Sequence, residues 1–205
     1  FASCYNGAME NNASSTPSPT APTESDSAAK IVRLDQAFDK LVPAGAKVEK
    51  LVDGHKWVEG PVWNRKEGYL LFSDIPNNAI IKWQGGKGES VFMKPAGYTG
   101  KEPFTGREPG TNGLTYDSQG RLVACEHGDR RVSRLEADGK TKTTLADKYN
   151  SKRLNSPNDL TYRSNGDLYF TDPIYGLPKG AEDPARELDF CGVYRLSKDG
   201  KLTLL

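Results

Sequence analysis

Four side chains carry the chemistry that this sequence suggests: Glu59, Asn112, His127 and Asn158. Glu59 stands in Trp57-Val58-Glu59-Gly60-Pro61-Val62-Trp63, a carboxylate between two tryptophans and beside a Gly-Pro pair. Proline cannot donate to a ladder, so Pro61 belongs at a strand start or an edge, and Glu59 falls at the mouth of that strand. Asn112 opens Asn112-Gly113-Leu114-Thr115-Tyr116, and Asn158 opens Asn158-Asp159-Leu160-Thr161-Tyr162. One carboxylate and neutral amide oxygens, brought together, suit a hard divalent cation. Such a cation keeps residual charge and can polarise a carbonyl or acidify water.

Each residue also has a plainer reading. An isolated Glu is more often a partly exposed strand end than a ligand. Asn112-Gly113 reads equally as a turn pair whose Asn tolerates a left-handed backbone, so Asn112 is better placed as a pocket residue than as a metal ligand. His127, in Glu126-His127-Gly128, has two open readings: a pocket residue that contacts substrate near neutral pH, or a histidine hydrogen-bonded within a loop. His55, in a Gly-His-Lys turn, is expected to be solvated.

The elements that would position these groups repeat along the chain. Gly68-Tyr69-Leu70-Leu71-Phe72-Ser73-Asp74 follows the Glu59 segment. Gly120-Arg121-Leu122-Val123-Ala124-Cys125-Glu126 follows the Asn112 segment, and Gly166-Asp167-Leu168-Tyr169-Phe170-Thr171-Asp172 follows the Asn158 segment. Third strands are expected at 79–83, 131–135 and 192–196, and fourth strands at 90–93, 143–145 and 202–205. Asp138-Gly139 and Asp199-Gly200 are hairpin dipeptides between them. Four strands per unit, recurring roughly every 50 residues, indicate β-propeller blades. Glu59, Asn112 and Asn158 then share one position at the entrance to successive innermost strands, which surround a central channel. Asp74, Glu126 and Asp172 share another, and are expected to satisfy loop backbone N–H groups. An open set of about three blades leaves edges unpaired, so a partial propeller, truncated at its C-terminus, is expected.

Composition narrows the remaining choices. The formal net charge of +1 offers no field for nucleic acid or an anionic membrane. No apolar run approaches the roughly 20 residues that span a bilayer. Gly-x-Ser-x-Gly is absent, and Gly85-Gly86-Lys87-Gly88 reads as a hairpin turn rather than a phosphate loop. Arg130-Arg131 and Lys140-Thr141-Lys142 read as solvated basic faces. Three cysteines form no metal-ligand spacing. Cys125 and Cys191 are expected to be buried free thiols, with a bridge between them left open.

Residues 1–30 differ from the rest and read as a disordered leader ahead of the propeller at 31–205. Phe1-Ala2-Ser3-Cys4, followed by a Ser/Thr/Pro tether, resembles the end of a bacterial lipoprotein signal, with Cys4 as the lipidated residue. That reading implies an extracytoplasmic location, periplasmic or in the cell envelope, and a membrane tether. Ile31 to Leu41 reads as a short helix with Leu34, Phe38 and Leu41 on one face, stopped by Pro43.

Several motifs together resemble a known family. Glu59-Gly60-Pro61-Val62-Trp63, Asn112-Gly113-Leu114, Cys125-Glu126-His127-Gly128, Leu154-Asn155-Ser156-Pro157-Asn158-Asp159 and Tyr169-Phe170-Thr171-Asp172-Pro173-Ile174-Tyr175-Gly176-Leu177 are similar to the bacterial gluconolactonases of the SMP-30/gluconolactonase/luciferin-regenerating group. The resemblance runs from about Leu34 to the end. It implies a six-bladed propeller with a divalent ion in the channel, calcium ahead of zinc, and hydrolysis of a sugar lactone. Glu59 matches the first-blade metal carboxylate, and Asn158 the third-blade Asn that faces metal and substrate. Where some members carry a substrate-binding Arg, this chain has Ser156, with Arg153 upstream. The family's general-base Asp is expected beyond Leu205, so the 205-residue chain alone is expected to be inactive. The alternative is a non-catalytic, surface-tethered propeller that binds a sugar or a protein partner.

Overall fold

The computed structural model describes residues 29–205. Cys4 and nearly all of the 1–30 leader lie outside the described residues. Two compact units divide between Lys50 and Leu51. In the first, the expected helix shrinks to a single 3-10 segment, Gln36–Lys40. Asp35 is its N-cap and accepts the Ala37 N–H at 2.7 Å, so the helix starts five residues later than the apolar spacing suggests. Leu34 and Leu41 are 92% and 80% exposed and Phe38 is only half-buried, so their shared face buries too little to propagate an α-helix.

The second unit is built from three four-stranded antiparallel sheets, each in simple sequence order. The first holds β1 (Val58–Asn64), β2 (Tyr69–Asp74), β3 (Ala79–Gln84) and β4 (Gly88–Met93). The second holds β5 (Thr111–Tyr116), β6 (Leu122–Glu126), β7 (Arg131–Leu135) and β8 (Lys142–Ala146). A two-stranded ribbon, β9 (Lys148–Tyr149) and β10 (Lys152–Arg153), leads into the third. That sheet holds β11 (Leu160–Tyr162), β12 (Leu168–Asp172), β13 (Gly192–Leu196) and β14 (Leu202–Leu204). These are propeller blades, and β1, β5 and β11 are their adjacent innermost strands. Among the described residues no helix is long and apolar enough to cross a membrane.

Strand periodicity explains how the blades stack. Successive side chains of a strand point to opposite faces. In β6, Leu122 and Ala124 join the core shared with Tyr69, Leu71 and Ile80 of the first blade. Val123 and Cys125 join the core shared with Leu160, Leu168, Phe170 and Tyr194 of the third. The middle blade is therefore covered on both sides, which is why every residue of β6 is buried. Cys125 is a buried free thiol as expected, and burial pushes it up from its ordinary pKa. Cys191 is a free thiol too, but it is exposed. It directly precedes β13 in the loop, outside the alternation that buries its neighbours.

The innermost strands approach one another at glycines. The ladder between β1 and β2 shifts register between Glu59 and Val62, and that between β5 and β6 shifts between Thr111 and Leu114. Such bulges re-aim side chains at sheet ends. Gly60 has φ +56°, and a Cβ there would lie 2.1 Å from the Asn112 carbonyl oxygen. Gly60→Ala is expected to cost roughly 1–3 kcal/mol in left-handed strain, with the clash added. Urea unfolding of the variant checks this, and an unchanged midpoint would contradict it.

A second device fixes the entry to β1. His55 is clamped rather than solvated: Nδ1 lies 3.1 Å from Asp74 Oδ2, and Nε2 lies 3.0 Å from Glu89 Oε2. The Phe72 ring meets its edge at 5.1 Å. Burial alone would lower the His55 pKa, but the bonds and charges of Glu89 and Asp74 outweigh it and raise it above 6.5. The imidazolium donates from both nitrogens. Its stabilisation is complete below the unfolded value and is lost as pH rises through the raised one. Stability should therefore decline above neutral pH, and His55→Gln should flatten that decline. Unfolding midpoints between about pH 6 and 9 test this, and parallel curves for the two proteins would refute it.

Candidate active site at the channel mouth

The sequence-predicted residues sit at equivalent points of three successive blades. Ser73 Oγ of β2 donates to the Asn112 carbonyl at 2.8 Å and pairs with Thr111 Oγ1 at 2.8 Å, fastening the first blade to the second. Gly113 N–H donates to the Asn158 carbonyl at 2.7 Å, fastening the second to the third. A Cβ on Gly113 would lie 2.8 Å from that same oxygen. The strand entrances thus follow one another around an arc, with Glu59, Asn112 and Asn158 on it. Asn158 precedes β11 rather than opening it. Its N–H still donates to Thr171 O at 2.9 Å, which continues the blade's pairing.

Environment separates the three side chains. Glu59 is exposed, and its Oε1 accepts Trp57 Nε1–H at 3.4 Å. Asn112 is buried, and Asn158 is half-buried. Asn158 Nδ2 is 3.4 Å from His127 Nε2. This contact turns the amide nitrogen to the imidazole, and among the described residues the amide oxygen is left as the free end. His127 is fully buried, and its Nδ1 lies 2.8 Å from Glu108 Oε2, close but off the line of a hydrogen bond. The Asn158 amide donates to Nε2 when that nitrogen carries no proton. The structure therefore joins Glu108, His127 and Asn158 into one chain of contacts. Glu108 carried no signal in the sequence, since it lies in the β4–β5 loop outside the repeat. Among the described residues no three His, Cys, Asp or Glu side chains cluster as a metal site. The arc offers one carboxylate and two amides.

The loop that delivers Asn158 is held from two sides. Asp172 is fully buried and accepts the N–H groups of Asn155 and Ser156, each at 2.8 Å. From the other side Arg130 Nε donates to the carbonyls of Leu154 and Asn155 at 2.8 and 2.9 Å. Its Nη1 donates to the Ala185 carbonyl at 2.7 Å. Arg130 is buried at φ +58°, so the reading of Arg130-Arg131 as a solvated face is corrected. Ser156 is fully buried, donating to Pro173 O at 2.6 Å and accepting Gly176 N–H at 2.9 Å.

The three recurrent acids diverge in their jobs. Asp172 satisfies loop N–H groups as expected. Glu126 instead anchors an ion cluster, with Arg131 Nε at 2.6 Å, Lys142 Nζ at 2.7 Å and Ser133 Oγ at 2.5 Å. Lys142 also donates to the Ala96 carbonyl. Arg131 and Lys142 are thus paired with a buried carboxylate rather than solvated. Asp74 takes the His55 contact and Asn77 Nδ2–H at 2.7 Å.

A sequence profile described as the SMP-30/Gluconolactonase/LRE-like region matches residues 57–205. The chain belongs to that family. It is 37% identical over 179 residues to a gluconolactonase of Zymomonas mobilis, a match covering 86% of this chain and 50% of that protein. A gluconolactonase of Xanthomonas campestris with a solved structure matches at 33% identity with a TM-score of 0.68, covering 83% of this chain and 53% of that one. An X-ray structure of a candidate gluconolactonase matches at 35% identity with a TM-score of 0.70, covering 83% and 56%. The chain thus spans about half the length of the relatives it matches. All-β propeller architecture and family membership agree with the expectations from sequence.

Proposed function

We propose that the protein takes part in hydrolysis of a sugar lactone at the channel mouth, with a divalent cation held by Glu59 and Asn158. One observation carries this reading. Asn158 has its amide nitrogen turned to His127, so its oxygen is the free end, on the same arc as the Glu59 carboxylate. Hard oxygen donors, one anionic and one neutral, are the chemistry that calcium accepts. Bound there, the cation would polarise the lactone carbonyl and lower the pKa of water. The residues of this chain supply the rest. Glu59 contributes the anionic donor. His127, steadied by Glu108, orients the Asn158 amide. Asn112, buried between them along the arc, faces the substrate and limits how it can lie. Membership of a family that includes named gluconolactonases supports the substrate class.

Metal removal tests the reading directly. Initial rates of δ-gluconolactone hydrolysis by the full-length protein, corrected for the spontaneous reaction, should fall by about 10²-fold or more on chelation. Added calcium should restore them. Hydrolysis that continues undiminished in chelator would refute the cation's role.

A further inference from the structure

Next to His127, the loops after β6 and β12 and before β5 line an open cavity of about 300 Å³. That is the small end of the roughly 300–1,000 Å³ range of ligand pockets. Phe104, Leu177 and Pro178 form an apolar wall. Arg130, Arg153 and Lys179 bring three cations to the lining, against the single acid Asp183. Asp183 is already occupied: its oxygens accept the N–H groups of Lys179 and Ala185 at 3.0 and 2.9 Å. Among the described residues no carboxylate lies within salt-bridge distance of the side chain of Arg130, Arg153 or Lys179.

Arg130 is the most telling member. It is 6% exposed, and its Nε and Nη1 are spent on backbone carbonyls. Its Nη2 is buried beneath the lining and has no acceptor among the described residues. A buried guanidinium without a carboxylate partner is costly, because desolvation is not offset. Burial, and then repulsion from Arg153, work against its charge, while Glu187, Asp172 and Asp183 compensate only at range. The lining thus carries more positive than negative charge.

We propose that this cavity binds a small carboxylate, namely the aldonate released when a lactone is opened at the neighbouring site. The inference rests on the lactone-hydrolysis reading for the identity of the anion, but not for its charge. Ring opening creates a carboxylate that a neutral lactone lacks. His127 links the two sites: its Nε2 lies 3.4 Å from Asn158 Nδ2, and the buried ring is among the residues around the cavity. Charge-assisted bonds from guanidinium to carboxylate are the strong class of hydrogen bond.

The test is calorimetric titration of the metal-stripped full-length protein with sodium gluconate, glucitol and inorganic phosphate at matched ionic strength. Gluconate is expected to bind at least about tenfold more tightly than either comparator. Arg153→Met should weaken gluconate by about tenfold, and Lys179→Met by about threefold with an unchanged thermal midpoint. Equal affinity for gluconate and glucitol, or unaltered affinity in both variants, overturns the proposal. Phosphate binding as tight as gluconate overturns the carboxylate assignment. Gluconate binding in a protein that hydrolyses no lactone supports the cavity and overturns only the reaction. Metal-dependent hydrolysis without gluconate binding overturns only the cavity.

Discussion

Glu59→Gln is expected to lower metal-dependent δ-gluconolactone hydrolysis by about 10²- to 10³-fold while leaving the fold intact. The substitution keeps the side chain's volume and one carbonyl oxygen. That oxygen can still accept the Trp57 Nε1–H that Glu59 accepts now. Glu59 is exposed, so neither its charge nor its packing supports the core. What changes is the donor set, which would consist of amides alone. A hard cation then loses its one anionic ligand along the arc, and its affinity falls. Rates measured across a calcium series should show weaker activation and partial recovery at high calcium. Wild-type rates at every calcium concentration would remove Glu59 from the mechanism.

Asp172→Ala is expected to destabilise the protein by about 3–5 kcal/mol, a large effect for one surface-remote side chain. The carboxylate answers two buried N–H groups, those of Asn155 and Ser156, and alanine leaves both unpaired. Asn155 is itself fully buried, with its Nδ2 donating to the carbonyls of Asp172 and Phe190 at 3.2 and 2.8 Å, so water cannot readily take over. Asp172→Asn retains one acceptor and should fall between wild type and alanine. Urea midpoints at constant m-value measure the loss. A difference below about 1 kcal/mol would show that the loop is held without this carboxylate. Because Asn158 lies just beyond Ser156, activity should drop along with stability.

The same group gives a pH signature. Burial pushes the Asp172 carboxyl from 3.8 up to about 6, against the pull of the two N–H bonds and the more distant Arg130 charge. Between those values the folded protein holds a proton that the unfolded chain has released. Its contribution therefore favours folding at the acid end and is lost as pH rises through about 6.

The propeller was legible in the sequence because its signals are local. Each blade repeats an entrance residue, a Gly-bearing turn and a strand ending in an acid, and these need only neighbours in the chain to be recognised. The shared register of Glu59, Asn112 and Asn158 followed from the same repeat. The residues that escaped notice act across loops that the repeat does not govern. Glu108 reaches His127 from the β4–β5 loop, and His55 joins carboxylates 19 and 34 residues away. Arg130 looked like half of a basic surface pair, yet a left-handed backbone turns it inward onto the carbonyls of another blade's loop. Nothing in its neighbours' types announces that φ. The expected helix near Leu34 is cut short for the converse reason: the spacing is present, but Leu34 and Leu41 on that face stay exposed. The sequence by itself determined the blades and the arc of oxygen donors, since strand period and turn chemistry are short-range. Only the tertiary structure decided which charges are buried, which amide end is free and where cations gather around a cavity. Those depend on desolvation and on contacts between residues that the chain brings together from far apart.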